Sequence, residues 1–376
     1  MTIFKRQQAP QTSVFIHPFL RRRITFLPCL LLLSTYVVLV HRFFENYHNY
    51  LHSTHTTLLP DTPGIIILGM HRSSTSMLSG LLVKGFGYEL GGPALPAADD
   101  NPKGFFERND VVDMNNAFLN MQEMTWDNHE LVVRYNASLT EAHLRTGFVP
   151  NSTLDDLLQF YNGKHDIPYL HKDPRMCLTL PVWLEHLSHR PAILFTYRHP
   201  LAVVMSLQKR DNFPLIKGLT LWIIYNVLAI QYSKGYCRVV TSSDAIVYDT
   251  LHEMIRISQE LTDRCHVITA PNITFSSSVV NEFVDHSLQH NTNRSYVAVE
   301  HSNTTILQDF GNGCVAHLFT SDHIEESVAH MKERQLYLMA MKLFCDFESG
   351  TAFRTNYKLP DLTAIDVFPP SAAETH

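Results

Sequence analysis

Two short stretches of this sequence combine residue types that bind and polarise oxyanions. The first is Gly69-Met-His-Arg-Ser-Ser-Thr-Ser76, which follows the apolar run Gly64–Leu68 and precedes a helix-forming segment, Met77–Val83. A strand that turns through small residues into a helix aims unpaired backbone N–H groups and the positive end of the helix dipole at one point, which suits a phosphate. Ser73, Ser74, Thr75 and Ser76 add hydroxyl donors, and Arg72 adds a guanidinium fork. The loop is not that of a nucleotide triphosphatase, because the second glycine and the lysine of G-x-x-x-x-G-K-S/T are missing. A hydroxyl-rich helix cap without a ligand is the plainer reading of the same residues.

The second stretch runs from Tyr197 to Arg210 and again follows an apolar run, Ala192–Tyr197. Arg198 stands at the strand end, Pro200 suits the first position of a helix over Leu201–Lys209, and Ser206 falls eight residues after Arg198. Either residue alone reads as an ordinary surface side chain. Their position behind a strand and an Arg-His-Pro turn gives the pair its weight.

Taken with three further segments, these stretches resemble the sulfotransferases that use PAPS (3′-phosphoadenosine 5′-phosphosulfate), in their membrane-anchored, carbohydrate and bacterial-like branch. Arg72-Ser-Ser-Thr-Ser76 is similar to the family's Lys/Arg-Ser-Gly-Thr-Ser/Thr loop, with Ser74 where glycine is usual. Asn101-Pro-Lys-Gly-Phe-Phe-Glu107, His171-Lys-Asp-Pro-Arg175 and Ile246-Val-Tyr-Asp249 resemble three other blocks of that branch. The likeness extends over roughly residues 63 to 255. It implies a P-loop-like nucleotide-binding core with PAPS as donor and no metal. Arg72, Ser73, Ser74, Thr75 and Ser76 would hold the 5′-phosphosulfate, Arg198 and Ser206 the 3′-phosphate, and Tyr248 would approach the adenine. Arg72 would also stabilise the leaving diphosphate. If the loop needs a positive φ at Ser74, a serine there carries about 1 kcal/mol of strain.

A base must also take the proton of the acceptor hydroxyl or amine. Glu107 is expected in that role, behind the turn Asn101–Gly104 and at the start of the next helix. Partial burial beside Phe105 and Phe106 would raise its pKa. Pairing with Lys103 or Arg108 is the structural alternative, and Glu89, Asp110 and His71 are the other candidate bases. Lys172, Asp173 and Arg175 read as a buried ion-pair group, with substrate contact as the sharper option. Trp183, Trp222 and Tyr225 read as core.

The elements that must position these groups alternate. Gly64–Leu68, Ala192–Tyr197, Ala245–Tyr248 and His266–Ala270 are strand candidates, and helical segments lie between. Such alternation predicts an α/β fold with a central parallel sheet and helices on both faces, whose ligands sit beyond the carboxyl ends of the strands.

Around this body the composition sets limits. A formal net charge of −6 over 376 residues argues against a nucleic-acid binder. The uncharged run Ile24–Val40 follows five basic and no acidic residues. As a helix of about 25 Å it predicts a short membrane anchor with a cytosolic N-terminus. The expected plan is a cytosolic tail 1–23, a transmembrane signal anchor 24–42, a stem 43–62, a lumenal domain 63–350 and a C-terminal tail 351–376. Shortness of the span favours Golgi-type membranes. Sequons at Asn136, Asn151, Asn272, Asn293 and Asn303 all fall on the lumenal side. Of six cysteines Cys29 lies in the span, and the remaining five permit two disulfides and one free thiol, with the pairing unreadable. The 22 histidines show no metal-binding spacing. The expected partners are the membrane and an acceptor, a glycan by resemblance. A lumenal glycosyltransferase, which usually carries an Asp-x-Asp motif that is missing here, and a non-catalytic nucleotide-binding relative are the alternatives.

Overall fold

The structure is a computed structural model. It describes residues 62–99, 101–128, 132–145, 151–268, 275, 276, 278–280, 305–311, 314–319 and 328–365. The predicted tail, anchor and nearly all of the stem lie outside these residues, as do Asn272, Asn293, Asn303 and 366–376.

Four parallel strands form the centre: β1 (Gly64–Leu68), β2 (Tyr169–Lys172), β3 (Ala192–Tyr197) and β4 (Arg238–Ser242), in the spatial order β2-β1-β3-β4. Between them run α1 (Thr75–Phe86), α2 (Asn109–Asn120), α3 (Ala137–Arg145), α4 (Asn151–Tyr161), α5 (Met176–His186), α6 (Pro200–Asp211) and α7 (Leu215–Tyr232). After β4 come α8 (Ser243–Tyr248), α9 (Thr250–Asp263), an antiparallel hairpin of β5 (Thr305–Asp309) and β6 (Val315–Phe319), and α10 (Val328–Glu348).

The apolar run of β1 follows from its place in the sheet. It is paired on both edges, Ile65 with Leu170 and with Ala192, and every one of its five residues is buried. Successive side chains point to opposite faces, so each face needs its own cover. Ile65 and Ile67 pack with Leu78, Leu81 and Leu82 of α1 and with Met254, Ile257 and Leu261 of α9. Ile66 and Leu68 pack on the other side with Leu178 and Trp183 of α5, Trp222 of α7 and Phe347 of α10. Trp183, Trp222 and Tyr225 are fully buried core residues, as their surroundings in the sequence predict. Helix α7 is long and apolar enough to cross a membrane by length and composition, but most of it is buried among α5, α6 and α10, which makes it a core helix.

Two strand expectations fail. Ala245–Tyr248 lies in helix α8, and the strand is the preceding Arg238–Ser242. The Ser242 side chain accepts a hydrogen bond from the Ala245 N–H at 3.1 Å, which caps α8 and ends the strand. β4 pairs on one edge only and alternates half-buried with buried residues, so its sequence lacks the continuous apolar run of an interior strand. In His266–Ala270 only Val267 pairs, as a single bridge to Thr62, and the last two residues lie outside the described ones. A histidine and a lysine interrupt the apolar pattern of β2, so its sequence does not announce a strand, yet His171 and Lys172 are both buried.

Two disulfides form, Cys237–Cys265 and Cys314–Cys345, and Cys177 is a buried free thiol. One fastens the start of β4 to the end of α9, the other the hairpin to α10. The described part of the C-terminal tail is draped on the body: Phe353 stacks on Phe347 at 5.5 Å, and Ala352 and Ile365 are buried.

Candidate active site

The turn after β1 begins with a close approach. A Cβ on Gly69 would lie 2.6 Å from the Thr196 carbonyl of β3, so only glycine lets the loop leave the sheet there. The Gly69 N–H donates to the Cys177 sulfur at 3.3 Å. Two non-glycine residues then take the left-handed conformation, Arg72 at φ 68° and Ser74 at φ 63°. The position where glycine was expected therefore does need a positive φ, and serine occupies it with its hydroxyl 2.6 Å from the Ser243 hydroxyl of α8. Helix α1 starts at Thr75 without a side-chain cap.

The turn after β3 is built without such strain. His199 is extended, Pro200 opens α6, and the Arg198 carbonyl accepts from the Trp222 indole at 3.0 Å. The two turns are joined. Arg72 donates from Nε to the Ser206 hydroxyl at 2.7 Å, and Arg198 donates from Nη1 to the Arg72 carbonyl at 3.1 Å. Residues 134 and 126 positions apart thus meet at one point.

The carboxyl end of β2 supplies the third wall. Buried Lys172 donates to the Ser76 hydroxyl at 3.1 Å, to the Phe105 carbonyl at 3.1 Å and to the Glu107 carboxylate. An ammonium has three protons, so this lysine is fully engaged in fastening the 101–107 segment to the α1 loop. Asp173, fully buried, accepts from Asn115 at 2.8 Å and from Arg175 at 2.9 Å, which bears out the ion-pair reading of this block. Glu107 sits just before α2 rather than inside it, only 6% exposed. Burial raises its pKa against the pull of Lys172. Its partner is neither Lys103 nor Arg108; Arg108 instead pairs with Asp110.

These elements enclose a cleft of about 740 Å³ at the carboxyl edge of the sheet. Arg72, Ser74, Thr75, Ser76, Glu107, Arg198, Ser206 and Tyr248 all line it. Ser73 is not among the lining residues: its hydroxyl is buried and without a hydrogen-bond partner. Tyr248 stands on the rim at the end of α8, 60% exposed, rather than at a strand end. Of the other candidate bases, Asp110 is held by Arg108, and Glu89 lines a separate pocket of about 400 Å³ with Phe160 and Lys164. His71 does reach the cleft. Its ring lies 4.3 Å from Trp126 and its Nε2 is buried without a hydrogen-bond partner. Burial, then Arg175, Arg210, Lys172 and Arg72 in that order, hold its pKa well below the ordinary value. Arg175 and Arg210 also line the cleft, and the sequence had not assigned Arg210 to it.

Of the sequons, Asn136 is exposed, and Asn151 is the first residue of α4.

No protein-family model and no curated protein matches the chain. Among solved structures the chain is similar to the sulfotransferase domain from the Synechococcus PCC 7002 olefin synthase. That similarity has 14% identity and a TM-score of 0.36, over 80% of this chain and 97% of that one. So slight a likeness carries no function, and the proposal below rests on the residues of the cleft.

Proposed function

We propose that the protein transfers the sulfuryl group of PAPS to a hydroxyl or amine of an acceptor, a glycan in the first instance. The observation that carries this reading is the junction of the two turns. Arg72 of the β1 turn and Ser206 of helix α6, from segments that separately suit a 5′-phosphosulfate and a 3′-phosphate, stand 2.7 Å apart on one cleft. A ligand with anionic groups at both ends of one ribose fits such a pair of neighbouring oxyanion sites.

In the reaction the acceptor oxygen or nitrogen attacks the sulfur in line with the bond to the phosphate oxygen. The new bond forms as the S–O bond breaks, and its electron pair leaves with 3′-phosphoadenosine 5′-phosphate. Arg72 and the uncapped start of α1 face the charge that builds on the leaving oxygen. The acceptor proton goes to Glu107, whose burial makes its carboxylate a stronger base than one in water. The two arginines and the hydroxyls position the donor, and positioning supplies much of the rate in such transfers.

Incubating the purified full-length chain with ³⁵S-labelled PAPS and a panel of glycans tests this directly. Transfer of label supports the reading, and no binding of 3′-phosphoadenosine 5′-phosphate would discard it. The left-handed Ser74 favours one other reading, a relative that binds the nucleotide without turnover, and binding without transfer would select it.

We further propose a single-pass type II Golgi protein with its body in the lumen, supported by the basic flank before Ile24 and the exposed Asn136 sequon. Enzymatic deglycosylation of protein from a secretory host should lower its apparent mass. An unchanged mass would reject the topology.

A further inference from the structure

The groups assigned to the nucleotide are Arg72, Arg198, Ser206 and the α8 residues Ser243 and Tyr248. A second flank of the cleft is built on Trp126, which the His71 ring and the Arg210 guanidinium both approach. Arg175 and Phe105 also line the cleft, and none of these five residues is assigned to the nucleotide. Resting on the sulfotransferase reading, we propose that this second flank binds an acidic sugar. A carboxylate or sulfate of the acceptor would sit between Arg175 and Arg210 and accept a hydrogen bond from His71.

Three observations converge on this. Arg175 lines the cleft and spends Nη1 on the buried Asp173, while its Nε is buried with no hydrogen-bond partner. A buried guanidinium N–H without an acceptor is costly, and a ligand oxyanion would satisfy it. Second, the His71 ring is wedged against Trp126 and Tyr225, with Nε2 likewise buried and unmatched. Burial first, and then the charges of Arg175, Arg210, Lys172 and Arg72, keep it neutral, so one ring nitrogen carries a proton and the other is an acceptor.

Third, the flank mixes these donors with aromatic surface. Arg210 lies over the Trp126 ring at 5.5 Å and pairs with Asp211, which fixes its guanidinium beside the indole. Apolar rings next to forked donors match a pyranose, whose C–H faces are apolar and whose substituents are polar. An acidic peptide would satisfy the charges but makes less use of the rings. Arg175 also lies close enough to Glu107 for their charges to interact. The anionic group therefore belongs near the hydroxyl that loses its proton, within the same or the adjoining sugar unit.

The test compares oligogalacturonate with the neutral galactose oligomer, which differ at C6 only by carboxylate against CH₂OH, in transfer assays with the full-length protein. The acidic oligomer should have a KM lower by about 10- to 100-fold. Arg210→Gln and Arg175→Gln should each bring the ratio of the two KM values toward one. Arg210→Gln lies outside the buried Asp173 group and remains interpretable if Arg175→Gln fails to fold. Equal KM values for both oligomers in the wild type would overturn the proposal. So would an acidic peptide used in preference to both, or an Arg175→Gln variant whose kcat falls equally on every acceptor, the sign of a sulfuryl contact. Calorimetry with 3′-phosphoadenosine 5′-phosphate is run alongside. Nucleotide binding without acid preference fails this inference alone, and no nucleotide binding fails the sulfotransferase reading beneath it.

Discussion

The turns after β1 and β3 deliver the same thing, an arginine to the carboxyl edge of the sheet, by opposite means. After β1 the chain uses two left-handed residues, Arg72 and Ser74, neither of them glycine. After β3 it uses Pro200, whose fixed φ already suits a helix start. The first turn is held in place from outside, through Ser206, Ser243 and the Lys172 contact to Ser76. The second also has outside contacts, from Trp222 and to Arg72, but its helix start is set by Pro200 without a left-handed residue. Strain of this kind persists only where the surroundings over-determine it. On the proposed reading the β1 turn serves the reacting centre and the β3 turn the 3′-phosphate.

If that division is right, neither turn supplies the base, and the largest effect should come from outside both. Glu107→Gln keeps the shape of the side chain and should lower kcat by roughly 10²- to 10⁴-fold while nucleotide affinity stays near wild type. Because burial raises the Glu107 pKa, the base form is lost as the pH falls through a value above the ordinary carboxylate range. The acidic limb of kcat/KM should lie there and vanish in the variant. A wild-type rate for Glu107→Gln would move the base to His71.

Next in size is the β1 turn itself. Arg72→Ala should lower kcat by about 10²- to 10³-fold, the loss expected for one donor to a developing oxyanion. An effect on donor affinity alone would erase the contrast between the turns.

The β3 turn should respond in binding. Arg198→Ala should weaken 3′-phosphoadenosine 5′-phosphate by roughly 10- to 150-fold, and a 5′-phosphate analogue without the 3′ group far less. Ser206→Ala should act in the same direction more weakly. Calorimetry showing equal losses for both ligands would remove the 3′-phosphate from this turn.

The smallest effects measure the strain. Ser74→Ala keeps the left-handed backbone and loses the bond to Ser243, so it should destabilise by about 1 kcal/mol. Ser74→Gly loses the same bond but relieves about 1–2 kcal/mol of strain, so its thermal midpoint should lie clearly above that of Ser74→Ala. At the unstrained turn Pro200→Ala relieves nothing and should cost about 0.4–1 kcal/mol through the unfolded chain. Identical midpoints for Ser74→Ala and Ser74→Gly would mean that the β1 turn stores no strain.

The features legible in the chain are local ones. The run Gly64–Leu68, the run Ala192–Tyr197, the helix starts behind them and the buried tryptophans follow from periodicity and from glycine and proline chemistry, which act over a few residues. The positive φ at Ser74 was raised only by the resemblance, through the glycine usual at that position. The tertiary structure decided everything set by partners far along the chain. It paired Glu107 with Lys172, 65 residues away, and joined Cys237 to Cys265 and Cys314 to Cys345. It buried Ser73 between neighbours, Ser74 and Ser76, that line the cleft. It assigned β4 to Arg238–Ser242, since an edge strand with alternate residues only half-buried needs no apolar run to announce it. Arg210 and Trp126 came to the cleft from the end of one helix and the loop after another, and no spacing along the chain encodes that meeting.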